Sequence, residues 1–214
     1  MKDILQSDFS KGYGLTRQVP LLYSEYSGSF SLKDSKACAV CEEPYRPSCD
    51  ETVLTVKVCS EITKIDFEAF INGFQGKIGG GRCDYLLYSD YKIALVELTC
   101  IKPKYLGPHL KDGQKVEGKQ ERAYKQIKDS IDKLIQVPSL KEKVDSYPNK
   151  VGLFGYRAKS VAPFMGDVDD VAKRIEDFMK VTFEIDSLNL STDMGNGFQF
   201  MKVGYPNMYD WDNQ

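Results

Sequence analysis

Two short apolar segments joined by a polar link constrain this chain more than any other feature. Residues 82–88 and 93–99 are rich in β-branched, aromatic and aliphatic residues and hold few strand breakers. Residues 89–92 are polar and turn-like, which predicts an antiparallel hairpin in which Tyr88 pairs with Ile93. Because alternation makes both faces of this hairpin apolar, we expect it at the centre of a sheet that is covered on both sides.

Each segment also contains one acid. Counting along the predicted register pairs Asp84 with Glu97, and directly opposed residues of an antiparallel pair have Cβ atoms about 5 Å apart. Two carboxylates at that separation repel each other unless one is protonated or a cation lies between them. Two interpretations remain open at this point: a metal-binding or polar active site, or two acids that are solvated at a wet strand end.

Composition limits the class of protein. A chain of 214 residues with 42% hydrophobic residues can bury a substantial core, and a net charge of −2 gives no global attraction to nucleic acid or membranes. No apolar run approaches about 18 residues, so no transmembrane helix is expected. Residues 1–8 lack the apolar stretch of a secretory signal. We therefore expect a cytoplasmic protein without a membrane partner.

The remaining pattern predicts an α/β fold with a mixed central sheet flanked by helices. Residues 1–50 show no helical period and are expected to form an irregular extension of loops, short strands and at most one short helix. Residues 51–214 are expected to form the α/β domain, with its core at about 60–160. Residues 102–113 are rich in lysine, glycine and proline and predict an exposed loop without regular structure. The other predicted elements are a strand at 51–59, helices at 62–74, 116–136 and 169–181, a strand at 150–156, and a hairpin within 183–204 that turns at 194–197.

The cysteines allow a weaker alternative, a zinc-stabilised binding module. Cys38 and Cys41 form a C-x-x-C pair, Cys49 follows, and Cys59 could be a fourth ligand. Strong zinc signatures have two paired ligand clusters, whereas this chain has one pair, and its single histidine, His109, is distant in sequence. We therefore expect reduced cysteines without metal.

The order of strand with Asp, turn, apolar strand ending in Glu, amphipathic helix and strand resembles the core of the PD-(D/E)xK nuclease superfamily, which has the restriction-endonuclease-like fold. In that family the two acids bind a divalent metal, and a lysine two positions after the second acid helps to activate the attacking water. The resemblance implies that Asp84 and Glu97 hold Mg²⁺ or Mn²⁺. A third acid should come from the preceding helix, with Glu68 as the first choice and Glu61 as the second.

The long predicted helix adds a likeness to the RecB-like branch of that superfamily. Members of this branch carry Q-x-x-x-Y on the helix after the lysine strand, and Gln120 and Tyr124 have that spacing here. Gln120 lies on the apolar stripe of the helix, so it is expected to face the sheet. By resemblance, both side chains would orient the site or a phosphate. Core packing is the alternative role for both residues.

This chain departs from the family pattern at the lysine position, where Thr99 stands. Alternation places Thr99 on the face of Glu97, but a hydroxyl supplies no positive charge. A lysine from elsewhere could replace the missing one, with Lys102 and Lys57 as candidates. Otherwise the metal alone activates the water, because a bound divalent cation lowers the pKa of water, or cleavage is lost and only binding is kept.

Two functions therefore compete. The first is a metal-dependent nuclease that hydrolyses phosphodiester bonds in nucleic acid, with DNA favoured over RNA and with its activity weakened by the missing lysine. The second is an inactive nuclease-fold subunit that binds a protein partner or a second copy of itself. In the first case basic residues near the loop would contact phosphates, the main source of nucleic-acid affinity; they are Lys102, Lys104, Lys111, Lys115 and Lys119.

Overall fold

A computed structural model describes residues 1–34, 52–101, 105–111, 113–158 and 192–213. The helices in these ranges are α1 (Lys2–Gly12), α2 (Phe67–Asn72), α3 (Lys119–Ile135) and α4 (Pro138–Asp145). The strands are β1 (Tyr23–Tyr26), β2 (Phe30–Lys33), β3 (Thr52–Lys57), β4 (Ile62–Asp66), β5 (Tyr85–Tyr88), β6 (Lys92–Ile101), β7 (His109–Lys111), β8 (Gln114–Val116), β9 (Asn149–Ala158), β10 (Asp193–Gly195), β11 (Phe198–Gly204) and β12 (Met208–Asp210).

A mixed seven-stranded sheet forms the centre of the molecule, in the order β1-β4-β5-β6-β9-β11-β10. The pairs from β1 to β6 are antiparallel, whereas β6, β9 and β11 run parallel to one another. Parallel neighbours need a crossover, and α3 and α4 provide it between β6 and β9. The predicted α/β class with a mixed central sheet is confirmed.

The central hairpin has the predicted register. β5 pairs with β6 from Tyr88 opposite Ile93 to Tyr85 opposite Val96. Every residue of β6 is buried, because both faces of the sheet are covered. Residues of one face, including Leu86 and Leu95, pack into a core formed with the helices. Residues of the other face, including Val96, pack into a second core formed with β2, β3 and β12.

A three-stranded sheet in the order β12-β3-β2 covers that second face. Within the described ranges, helices cover one face of the central sheet and the strands of the smaller sheet cover the other. The C-terminal Trp211 is fully buried and ties the two sheets together. Its indole Nε1 donates to Ser89 Oγ (3.2 Å), and its carbonyl oxygen accepts a hydrogen bond from the buried Lys92 ammonium group.

Residues 1–34, part of the expected N-terminal extension, contain one helix and two short strands that pack into the domain. Helix α1 buries Leu5 and Phe9 in the core beneath the helices. β1 forms an edge of the central sheet by pairing with β4, and β2 belongs to the smaller sheet. These elements are hard to locate from sequence, because α1 is only weakly amphipathic and both strands are four residues long. Residues 35–50 lie outside the described ranges.

Two further expectations need correction. The predicted helix at 62–74 is a strand followed by a helix, because Ile62 and Ile65 fill the core as part of β4 and Asp66 caps α2 through its bond from Ala69 N (2.9 Å). The predicted structureless segment at 102–113 extends into a short antiparallel ribbon, β7–β8. Short strands with lysine and glycine lack the apolar alternation that would have indicated them.

The other elements occur close to their predicted positions. The strand at 51–59, the long helix, the strand at 150–156 and the C-terminal hairpin correspond to β3, α3, β9 and β10–β11. Pro138 begins α4 rather than simply ending α3. The helix expected at 169–181 falls outside the described residues. No described helix is long and apolar enough to cross a membrane.

Trp211→Ala should destabilise the protein by about 3–5 kcal/mol, because it removes a buried indole that contacts both sheets. Urea denaturation measures the change in the free energy of unfolding. Met208→Ala, in the preceding strand and 57% exposed, is the matched control and should change that free energy by less than about 0.5 kcal/mol. Equal losses in the two variants would contradict the closing role of the indole.

Candidate functional site

The segment that leads into β5 is fastened to helix α3, and this attachment positions Asp84. Four hydrogen bonds make it: Gly81 N to Asp129 Oδ2 (2.6 Å), Cys83 N to Ser130 Oγ (2.9 Å), Gln126 Nε2 to Arg82 O (3.1 Å) and Lys133 Nζ to Gly81 O (2.6 Å). We call this set of bonds the α3 clamp. Because the bonds include main-chain groups of three consecutive residues, they fix the path of the chain just before Asp84.

Helical spacing explains why one helix can supply all four side chains. Positions 126, 129, 130 and 133 follow the i, i+3, i+4, i+7 pattern, so they lie along one stripe of α3. The apolar stripe beside it, which includes Ile127 and Ile131, packs in the core. Gly81 permits the close approach, since a Cβ there would lie 3.0 Å from both Gln126 Cα and Asp129 Oδ2.

Past Val96, where β5 no longer lies beside β6, two carboxylates accept hydrogen bonds from the main chain of β6 in place of a neighbouring strand. β5 begins at Tyr85, whereas β6 continues to Ile101, so the edge of β6 past Val96 has no β5 residue beside it. Asp84 Oδ2 accepts a hydrogen bond from Leu98 N (2.7 Å), and Asp34 Oδ2 accepts one from Cys100 N (3.3 Å). Both carboxylates are buried at this end of the sheet.

Asp34 is the site residue that sequence reasoning missed. It follows β2, which lies in the smaller sheet, and the two sheets bring it to β6 from a distance of 66 residues along the chain. The only local signal was an acid directly after the alternating pair Phe30 and Leu32. That signal is common at strand ends and does not identify a partner.

Glu97 and Thr99 line a cleft of about 290 Å³ next to these carboxylates. Both side chains are buried, with relative exposures of 5% and 6%. Asp34 lines the same cleft, and so do two basic residues of α3, Lys119 and Arg122, which are exposed. The cleft therefore combines buried carboxylates with exposed lysine and arginine side chains at its rim. Arg122 was not among the predicted site residues.

The pKa values of two neighbouring side chains, Tyr85 and Cys83, are raised. Burial raises the pKa of Tyr85 to about 12, and the charges of surrounding acids add to the rise: Asp84, Asp66, Asp34 and Glu68. Burial also raises the pKa of the Cys83 thiol above its usual range, with smaller contributions from Glu97 and Asp84. These acids therefore add negative charge around Tyr85 and Cys83 at this end of the sheet.

Glu68, the acid expected from the preceding helix, has its main chain bonded to that of Asp84. Glu68 N donates to Asp84 O (3.2 Å), which places the first turn of α2 beside Asp84. Glu61 lies elsewhere, in a cavity at the turn end of the hairpin with Asp90 and Tyr91. In the part of the chain that the structure describes, no group of three or more His, Cys, Asp or Glu side chains converges closely enough to hold a metal ion.

Gln120 is fully buried on the sheet side of α3, as the helical stripe predicts. Both polar atoms of its amide lack a hydrogen-bond partner within the described residues, so it does not bond directly to either acid. Tyr124 is placed differently. Its hydroxyl donates to Asp193 O (3.4 Å) and its ring meets the edge of Phe200, so it packs toward the C-terminal hairpin and is not among the cleft residues.

The candidate lysines separate into distinct groups. Lys57 does not replace the motif lysine, because it pairs with Asp210 (3.0 Å) and its carbonyl accepts from Trp211 N, at the far end of β6 from Glu97. Lys102 and Lys104 lie outside the described residues. Lys111, Lys115 and Lys119 are exposed, and of these Lys119 lines the cleft with Glu97.

The structure describes only one of the four cysteines of the zinc alternative, Cys59. Cys38, Cys41 and Cys49 lie outside the described ranges. Cys59 is an exposed thiol that follows β3, and its backbone N–H donates to Asp212 Oδ2 (2.6 Å). His109 lies on the β7–β8 ribbon, where its ring meets Tyr105. The expectation of reduced cysteines without metal stays a prediction.

Searches against protein-family models, curated proteins and solved structures gave no match to this chain. A function therefore has to be inferred from the described residues themselves. They define an α/β protein with an acidic, partly cation-rimmed cleft where β5 begins and β6 nears its end.

Ser130→Ala should destabilise the protein by about 1–3 kcal/mol, because it leaves the buried Cys83 N–H without an acceptor. Ser146→Ala is the matched control, since that hydroxyl bonds a carbonyl at the exposed end of α4, and it should cost less than about 0.5 kcal/mol. Chemical denaturation of both variants measures the difference. If Ser130→Ala proved as mild as its control, the α3 clamp would not be holding this segment.

Gln120→Met should stabilise the protein by about 1–3 kcal/mol, because it replaces a buried amide without partners by an apolar side chain of similar size. Gln126→Met should have the opposite effect, since Gln126 donates to Arg82 O. Denaturation midpoints compare the two variants. A loss of stability in Gln120→Met would show that the amide has a partner in solution.

Proposed function

We propose that this protein is a divalent-metal-dependent nuclease with a restriction-endonuclease-like core, which hydrolyses phosphodiester bonds in nucleic acid. The observation that carries the proposal is a set of buried carboxylates where β5 begins. Glu97 and Asp34 line a cleft with basic residues at its rim, and Asp84 accepts a hydrogen bond from Leu98 N, next to Glu97 in β6. The order of elements supports it, because the acidic hairpin is followed by a helix and a parallel strand, as the family resemblance requires.

A divalent cation suits this arrangement of donors. Buried carboxylates are costly without compensating positive charge, and hard cations prefer oxygen ligands. Asp84 and Glu97 would hold the ion, with Asp34 as the third acid in place of the expected Glu68, because Asp34 lines the cleft. A carboxylate that accepts one N–H bond keeps further lone pairs for a ligand. Mg²⁺ commonly uses only one or two protein carboxylates, so a convergent set of three is not required.

When bound, Mg²⁺ or Mn²⁺ would supply Lewis-acid chemistry by lowering the pKa of a water and polarising the phosphate. Thr99 offers a hydroxyl where the family has a lysine, so positive charge has to come from other residues. Arg122 and Lys119 line the same cleft and belong to the first turn of α3. A guanidinium group can bind phosphate oxygens with two parallel hydrogen bonds, which makes Arg122 the stronger candidate.

The second candidate is a nuclease-fold subunit that binds without cleaving. Two observations favour it: Thr99 stands at the lysine position, and Asp84 and Asp34 already serve the fold by accepting hydrogen bonds from β6. Such a protein would keep the acids for structural reasons. It should gain no thermal stability from Mn²⁺, whereas a true site gains about 2.7 kcal/mol when the ion is present at 100 times its dissociation constant.

Wild-type protein should cleave labelled DNA or RNA slowly with Mn²⁺, less well with Mg²⁺ and not at all with a chelator. Asp84→Asn and Glu97→Gln should each lower the rate by more than about 10- to 100-fold, the loss seen when groups that only support a metal ligand are removed. Asparagine is preferred to alanine at position 84, because its carbonyl can still accept from Leu98 N. Asp90→Asn, at the exposed turn of the same hairpin, is the matched control and should retain activity.

Thr99→Lys separates the two candidates. It should raise the rate of a weakened nuclease, because an ammonium group beside Glu97 restores the positive charge that the family pattern supplies. It should do nothing in a protein that only binds. If wild type shows no metal-dependent cleavage above the Asp84→Asn background on single- and double-stranded DNA and RNA, the catalytic proposal is wrong.

A further inference from the structure

The β7–β8 ribbon presents two different faces. His109 pairs with Val116 and Lys111 with Gln114, whereas Leu110 pairs with Lys115. Because side chains alternate along a strand, His109 and Lys111 share one face and Leu110 and Lys115 the other. Only the first face lines a cavity of about 330 Å³ between the ribbon and α3; Lys115 is not among its lining residues.

This cavity lies next to the cleft that contains Glu97. The two spaces share Ile101, Lys119 and Arg122 as lining residues, so they are neighbours around the beginning of α3. We call the two spaces together the ribbon groove: the acidic end of the sheet forms one end and the His109 face of the ribbon the other. A ligand long enough to occupy both parts would pass over the beginning of α3.

The chain just before the ribbon packs tightly against the beginning of α3. A Cβ at Gly118 would lie 2.4 Å from Leu106 O and 2.3 Å from Gly107 C, so only glycine allows the chain before the ribbon to pack here. Gln120 N also donates to Leu106 O (3.1 Å). The segment before the ribbon is therefore attached to α3, the helix that carries Lys119 and Arg122. This attachment holds the two parts of the groove next to each other.

The lining of the ribbon end combines aromatic rings with positive charge. Tyr105 and His109 meet edge to face with ring centroids 4.9 Å apart. Lys111, Lys119 and Arg122 line the same space, and Glu117, the acid among the described lining residues, is paired with Lys125. Aromatic rings beside cations are the features by which proteins hold single-stranded nucleic acid, since unpaired bases stack on rings while lysine and arginine follow the phosphates. A duplex offers no unstacked base to such rings.

We propose that the ribbon groove binds one strand of nucleic acid, with a base against Tyr105 and His109 and the adjoining phosphates on Lys111, Lys119 and Arg122. This inference rests on the proposed function, because it makes the groove the path by which a strand reaches Glu97. It assigns single strands as the substrate class and the His109 face of the ribbon as the specificity element. Lys115, on the opposite face, takes no part.

Fluorescence anisotropy in the presence of a chelator tests binding separately from cleavage. The probes are labelled oligothymidylate and oligouridylate of about 12 nucleotides, within the usual site size of single-strand binders, and a duplex of the same length. The variants are Lys111→Ala and His109→Ala, with Lys115→Ala as the matched control on the same exposed ribbon. Full-length protein is used throughout.

Wild type should bind at least one single-stranded probe more tightly than the duplex. Lys111→Ala should weaken that binding and reduce the salt dependence of log K by roughly 0.7, the value for one phosphate contact on a single strand. His109→Ala should weaken it without changing the salt dependence, and Lys115→Ala should change neither quantity. Equal effects of Lys111→Ala and Lys115→Ala, duplex binding as tight as single-strand binding, or no binding to any probe would overturn the inference.

These outcomes are independent of catalysis. Binding that depends on Lys111 and not on Lys115, in a protein that never cleaves, would support the groove and reject the nuclease. Metal-dependent cleavage with identical behaviour of the two lysine variants would support the nuclease and reject the groove.

Discussion

The hydrogen bonds between helix α3 and residues 81–83 join the parts of this molecule on which its candidate site depends. They connect the crossover helix to the chain that enters β5, so Asp84 is placed by a rigid element rather than by a free loop. The same helix carries the basic residues of the cleft at its first turn. Packing of α3 on the central sheet therefore affects the position of Asp84 and of the basic residues together.

The acids at the sheet end have two roles that are compatible in one arrangement. Asp84 and Asp34 stabilise β6 by accepting main-chain hydrogen bonds where β5 is absent, and they concentrate negative charge beside the cleft. A fold that needs acceptors at this edge can thus retain acids whether or not it cleaves a phosphodiester. For that reason the acids alone do not separate an enzyme from a binding protein, and the residue at position 99 carries more information about catalysis.

Short-range patterns predicted the strongest elements of the fold. The register of β5 with β6, the apolar stripe of α3 and the turn before β11 all follow from alternation, helical spacing and turn residues within about twenty positions. The same reasoning did not locate β1, β2, β4 or the ribbon. β1 and β2 are short and gain their hydrogen bonds from partner strands distant in sequence, whereas the ribbon strands lack apolar alternation.

The sequence by itself determined the register of the central hairpin and the burial of Gln120, because each depends on the period of a single segment. Only the tertiary structure decided that Asp34 bonds to β6 and that Lys57 lies at the end of β6 away from Glu97. It also decided that Lys111 lines the groove whereas Lys115 does not. Those placements depend on how two sheets and a crossover helix pack, and side-chain periodicity contains no information about which distant elements will meet.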